Sequence, residues 1–199
     1  MKPKNISGVP KHNKGSFHDT ESVRYIEKQE NLDFQFNILK QRLFEINSWR
    51  KCCPESKTDF KLFDSRGINI ERVPEVGDYI RINIPGAGGI EGRYFDWVKI
   101  VMLDVASESK VLMQCRPSHN PETSESRKIA HFYSNAATST FIVSKHKGFI
   151  KVGIYGRNEL PNLNSGFFNS LRNLFVAFGG MLGFSKIQWK CLSKGLIDF

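Results

Sequence analysis

From Thr20 to about Trp49 the apolar residues Tyr25, Leu32, Phe36, Leu39, Leu43 and Ile46 follow a three- and four-residue alternation. That period lines one face of an α-helix and predicts an amphipathic N-terminal helix, with Asp19 or Thr20 as N-cap and Pro54 beyond its end. The stripe is too short for a coiled-coil seam, which predicts packing on the protein's own sheet.

The period then shortens to two. In Asp78–Ile84, Ile80, Ile82 and Ile84 alternate with Tyr79, Arg81 and Asn83, the signature of a half-buried strand. Further strands are predicted at Phe60–Phe63, Ile68–Arg72, Tyr94–Leu103, Lys110–Cys115, Lys128–Ser134, Thr138–Lys145 and Phe149–Arg157. Asp64-Ser65-Arg66-Gly67 and Lys145–Gly148 supply turns, and a polar loop with two prolines separates Arg116 from Arg127. Strands that follow one another through short loops imply antiparallel pairing, because parallel pairs need long crossovers.

After Pro161 the helical period returns in Phe167, Leu171, Leu174, Phe175, Phe178 and Leu182. Gly179, Gly180 and Gly183 weaken it, and Ser185 opens a last short helix, Lys186 to Leu192. Asn169, Arg172 and Asn173 interrupt the apolar run, so a membrane span is not expected there. The predicted fold is α+β: a curved antiparallel β-sheet with an N-terminal amphipathic helix and C-terminal helices packed on one face. Residues 1–17 are expected as a flexible basic tail and residues 18–199 as a single domain.

The net charge of +9 adds little, since Lys2, Lys4, Lys11 and Lys14 stand in an N-terminal stretch without acids and account for +4 of it. Residues 1–30 contain no apolar signal-peptide region. The four cysteines, Cys52, Cys53, Cys115 and Cys191, form no CxxC pair, so free thiols in a reducing cytoplasm are expected.

Candidate chemistry lies in three places. The glycine-rich stretch from Pro85 to Gly92 precedes a predicted strand and lacks the Walker lysine, so it reads as a hairpin loop rather than a phosphate cradle. His131 and Tyr133, two residues apart on one predicted strand, offer an acid, a base or a hydrogen-bond donor to a ligand. In Gly156–Asn162, Arg157 offers a planar fork for a carboxylate or phosphate. Glu159 there is its orienting partner or a base, and Asn158 is a binding residue or a turn former. No Gly-x-Ser-x-Gly elbow or Cys–His dyad accompanies them. His119 and His146 have no second ligand at metal spacing, so no metal and no cofactor are expected.

An antiparallel sheet followed by a long C-terminal helix resembles the helix-grip (START-like) arrangement. That resemblance implies an apolar ligand held between sheet and helix, hence a cavity behind Phe167–Leu182. Two features depart from it: no strand is read before the first helix, and a short helix follows the long one.

The functional reading is a non-enzymatic cytoplasmic binding or accessory protein. It engages a protein partner or a small apolar ligand through His131, Tyr133, Arg157, Asn158 and Glu159. One alternative is an enzyme that gathers His131, Tyr133, Arg157 and Glu159 in a single pocket. Another is a nucleic-acid-binding protein using the basic tail and the ridge of Lys145, His146, Lys147, Lys151 and Arg157, with Phe149 and Tyr155 interleaved.

Overall fold

The computed structural model describes residues 2–56, 58–83, 95–123, 128–162 and 181–199, with the side chains of 181–186 set aside. The first element is not the expected helix but a strand, β1, Ser16–Tyr25. His18 and Thr20 are buried on its inward side, between more open Phe17, Asp19 and Glu21. Because those inward residues are polar, the alternation of two is invisible to a hydrophobicity reading, and Asp19 and Thr20 are strand residues rather than caps. The helix begins later. Helix α1, Leu32–Phe44, buries Leu32, Phe36, Leu39 and Leu43, so the three/four stripe holds from Leu32 onward. Tyr25, at its expected start, is 79% exposed.

After the short helix α2, Trp49–Cys52, six more strands follow: β2 Asp59–Phe63, β3 Tyr79–Asn83, β4 Asp96–Ser107, β5 Lys110–Pro117, β6 Thr138–His146 and β7 Phe149–Glu159. They form one open antiparallel sheet in the order β1-β7-β6-β5-β4-β3-β2. Two expected strands are absent as such. Ile68–Arg72 contributes one isolated bridge, Asn69 to Phe63, and Lys128–Ser134 contributes one, Tyr133 to Pro161. Both follow a tight turn or a proline-bearing loop and pair for too few residues to form ladders. The last helix, α3, is Met181–Ile197 and runs unbroken through the Ser185 expected to open a short one. The glycine-rich loop and the apolar run from Phe167 to Gly180 lie outside the described residues.

Helices pack on one face of the sheet. There Trp49 meets Phe60 and Phe141 at ring-centroid distances of 5.3 and 5.2 Å, and Phe141 meets Trp189 at 5.5 Å. Truncating an aromatic ring of this kind costs about 3–5 kcal/mol, so these side chains hold α2 and α3 to the sheet. The opposite face carries a smaller cluster of Leu112, Ile142 and Tyr155, against which Ile6 and Val9 pack. Residues expected as a flexible tail are thus placed along the outer face of β5–β7.

Cys53 and Cys191 form a disulfide across 138 residues, with Cα atoms 5.5 Å apart. This corrects the expectation of four free thiols; Cys52 and Cys115 remain free. Folding brings the two chain regions together where sequence spacing shows no pair. The bond also removes the support that free thiols lent to a cytoplasmic location. Among the described residues no helix is long and apolar enough to cross a membrane.

Candidate functional site

Strand β7 alternates regularly until it reaches Gly156-Arg157-Asn158-Glu159. Ile150, Val152 and Ile154 face the helices, whereas Tyr155 faces the outer cluster. Then Asn158 adopts φ 57°, the only positive φ of a non-glycine among the described residues. Asparagine tolerates this left-handed conformation better than most residues. Its side chain also fixes the turn: Oδ1 accepts from the Asn13 and Lys14 N–H groups at 2.7 and 3.3 Å, and Nδ2 donates to Lys11 O at 3.1 Å.

The consequence is a bulge. Pairing with β1 shifts from Gly156↔His18 to Glu159↔Ser16, so β7 carries one extra residue. Glu159 thereby turns to the helix side, where its Oε1 lies 3.3 Å from His18 Nε2, both side chains being 2% exposed. Gly156 makes the space: a Cβ there would collide with Glu159 Oε1 and with His18 Nε2 and Cδ2. The other ring nitrogen of His18, Nδ1, lies 3.4 Å from Thr20 Oγ1. Trp189 of α3 stacks over the imidazole at 6.5 Å. A hydroxyl, an imidazole and a carboxylate therefore stand in one row.

Arg157 points to the other side and is fully engaged by the chain itself. Its guanidinium donates to His18 O, Gly156 O and Lys4 O at 3.1, 2.8 and 2.9 Å and pairs with Asp19 Oδ1 at 2.6 Å. The fork read as open to a ligand phosphate is spent on backbone carbonyls. Nearby, Tyr155 donates to Glu21 at 2.8 Å, and Lys4 and Lys151 pair with the same carboxylate. Partial burial pushes Glu21 up, but the hydrogen bonds from Lys4, Lys151 and Tyr155 outweigh it and hold its pKa at about 2.

His131 and Tyr133 lie elsewhere, in the irregular segment between β5 and β6. The Tyr133 N–H donates to His131 Nδ1 at 2.9 Å, and the imidazole stacks on Phe132 at 4.5 Å. Burial pushes the His131 pKa down to about 3. The ring borders an interior cavity of about 20 Å³ between sheet and helices, together with Trp49, Phe141 and Trp189. That space holds at most one water molecule. Next to it Asp96 accepts from the Phe132 N–H at 3.2 Å, and burial raises its pKa well above the usual carboxylate range.

The structure thus gathers Arg157, Asn158 and Glu159 with His18 and Asp19, and leaves His131 and Tyr133 in a separate place. Sequence reasoning does not reach His18 and Thr20, because it starts a helix at Thr20 and leaves His18 in front of it, where the chain forms β1. Their spacing of two is the signal that would have found them.

A cleft of about 1310 Å³ opens beside this cluster, between β1 and α3. Phe17, Pro54 and Ile187 give it apolar walls, and His18, Glu55 and Lys190 give it polar ones. The basic ridge is largely tied up: Lys145 pairs with Asp33, Lys151 pairs with Glu21 at 2.9 Å, and His146 stacks on Phe149 at 4.7 Å.

No family model matches this sequence, and no curated protein does. A crystal structure of a hypothetical protein from Helicobacter pylori is similar over 99% of this chain and 97% of that one, with TM-score 0.61 and 11% identity. Looser likenesses include the ginseng major latex-like protein 151 from Panax ginseng (TM-score 0.40, 14% identity, 88% and 97% of the two chains). Another is the Zhui aromatase/cyclase from Streptomyces sp. R1128 (TM-score 0.43, 7% identity, 90% and 94%). At such identities the likeness concerns the fold alone.

Proposed function

We propose that this chain is a non-enzymatic binding protein that takes a small ligand, part apolar and part polar, in the cleft between β1 and α3. The observation that carries this reading is the cleft itself, about 1310 Å³, against about 20 Å³ for the interior cavity beside His131 and Trp189 among the described residues. A ligand site needs concave apolar walls with a few fixed polar groups. Ile187, 63% exposed, and Phe17 meet the first need; buried His18, held by Glu159, meets the second. The sheet–helix interior behind Trp189 is the less favoured place for a ligand, because aromatic rings occupy it.

The anionic apolar dye anilinonaphthalene sulfonate is a suitable probe, followed by its own fluorescence and by quenching of Trp189. Saturable one-to-one binding is expected, weakened about tenfold or more by Ile187→Glu and by Lys190→Glu while circular dichroism stays unchanged. Binding that ignores both substitutions, or no binding, would place the ligand elsewhere.

The row Thr20–His18–Glu159 favours a second reading, proton transfer to or from the bound molecule. Turnover of a cleft ligand that His18→Gln abolishes, with binding retained, would favour it over simple carriage.

A further inference from the structure

Cys191 of α3, on the wall of the cleft, forms a disulfide with Cys53, buried just after α2. Glu55 stands beside them, its Oε2 3.1 Å from Cys191 Sγ. In a disulfide neither sulfur carries a hydrogen, so this contact is not a hydrogen bond. A carboxylate oxygen set against sulfur lone pairs gains nothing by itself. One donor atom from each of Cys53, Glu55 and Cys191 lies within 4.8 Å of the others. Two thiolates and a carboxylate at that spacing form a ligand set for a thiophilic, tetrahedral divalent cation, with water as the fourth ligand.

We propose that Cys53, Glu55 and Cys191 bind a zinc-like divalent cation when the disulfide is reduced, so that bond and cation are alternative states of one site. The inference is independent of the small-ligand reading.

Contacts that do not involve the sulfur–sulfur bond hold the three donors in place. Arg42 donates to Gly195 O at 2.7 Å and to Cys52 Sγ at 3.4 Å, tying α1 to both cysteine-bearing segments. A Cβ on Gly195 would collide with Cys52 O, so the α3 backbone rests directly on the end of α2. Ser56 Oγ donates to Cys53 O and accepts from the Thr58 N–H, both at 3.2 Å, which sets the turn that carries Glu55. Zinc binds each sulfur at about 2.3 Å, so the two sulfurs need only swing apart by side-chain rotation.

The chemistry balances with two named co-reactants. A dithiol reductant delivers two electrons and two protons, leaving Cys53 and Cys191 as thiols and itself as a disulfide. Cation binding then releases the two thiol protons to water. In return, hydrogen peroxide takes two electrons from the two thiolates and two protons from solvent, giving two waters. The sulfur–sulfur bond re-forms and the cation leaves.

The test uses the full chain, reduced with a phosphine, desalted without oxygen and titrated with Co²⁺ as a coloured stand-in for Zn²⁺. One equivalent should develop thiolate-to-cobalt charge-transfer absorption, which Zn²⁺ displaces and peroxide abolishes. Cys53→Ser and Cys191→Ser should each lose the band, Glu55→Gln should weaken affinity about tenfold or more, and Cys52→Ser should leave it intact. No band in the reduced wild type, or a band that survives Cys191→Ser, overturns the proposal. So does a reduced chain that has lost its strand dichroism, since the donors are argued to be held by packing. Glu55→Gln keeps all four sulfurs, so an affinity unchanged by it removes the carboxylate from the site.

Discussion

Glu159 reaches His18 only because the chain between Gly156 and Glu159 takes one residue more than the strand it faces. The pair sits 3.3 Å apart at 2% exposure on each side, at the point where β7 stops alternating. Among the described residues, Glu159 Oε2 and His18 Nε2 have no hydrogen-bond partner of good geometry. Such a bulge beside a cleft is a way of re-aiming one side chain, here from the outer face to the helix side.

Gly156→Ala tests that geometry directly. Its Cβ would collide with both members of the pair, and overpacking of this kind costs about 1–3 kcal/mol. Urea denaturation should show a lower midpoint for Gly156→Ala with the same slope. In the background of Glu159→Ala, which removes the obstructing carboxylate, the added cost of Gly156→Ala should shrink. Equal cost in both backgrounds would mean that the glycine serves the backbone and not the pair.

Asn158 separates backbone strain from side-chain bonding. Asn158→Gly loses the bonds to Asn13, Lys14 and Lys11 but relaxes in the left-handed region. Asn158→Ala loses the same bonds and must in addition hold φ 57°, which costs a residue with a Cβ about 1–2 kcal/mol. Asn158→Ala should therefore be the less stable of the two by about 1 kcal/mol. Equal stabilities would show that the bulge relaxes once its hydrogen bonds are gone.

The same residues show where sequence reading stops. In α1 the inward positions are Leu32, Phe36, Leu39 and Leu43, and in β3 Ile80 and Ile82, so apolar period alone reveals both elements. In β1 the corresponding positions are His18, Thr20 and Ser22, and no period of apolar residues exists to be read. Gly156-Arg157-Asn158-Glu159 stands out as polar, but the direction Glu159 faces depends on one left-handed residue, which composition does not reveal. His131 and Tyr133 illustrate the converse. Their spacing of two suggests a shared strand face, yet they lie in a loop closed by their own hydrogen bond. Cys53 and Cys191, 138 residues apart, meet only through the docking of α3 on α2, a tertiary event with no local signal.

His131 should make stability fall as acid is added. Its folded-state pKa is about 3, below the ordinary 6.5, because burial disfavours the imidazolium. Between those values the unfolded chain takes up a proton that the folded chain refuses, so lowering the pH favours unfolding. The loss is about 1.4 kcal/mol for each pH unit below 6.5 until the folded value is reached. Denaturation free energies at pH 7.0, 6.0 and 5.0 should fall more steeply for the wild type than for His131→Phe. The other four histidines are common to both proteins and cancel in the comparison. Parallel slopes would mean that the ring is open to solvent.

Asp96, at the start of β4, should behave in the opposite sense. Its Oδ1 accepts from the Phe132 N–H, one residue from His131, while burial raises its pKa well above 3.8. From 3.8 up to its folded value, the unfolded chain ionises Asp96 and the folded chain does not. Its contribution is therefore present below pH 3.8 and is lost as the pH rises. Asp96→Asn keeps an oxygen for the Phe132 N–H and never ionises. It should be more stable than the wild type at pH 7 and lose that advantage near pH 3.5, a difference that melting temperatures at the two pH values would show. Asp96→Asn less stable at pH 7 would require an ionised carboxylate with a cationic partner.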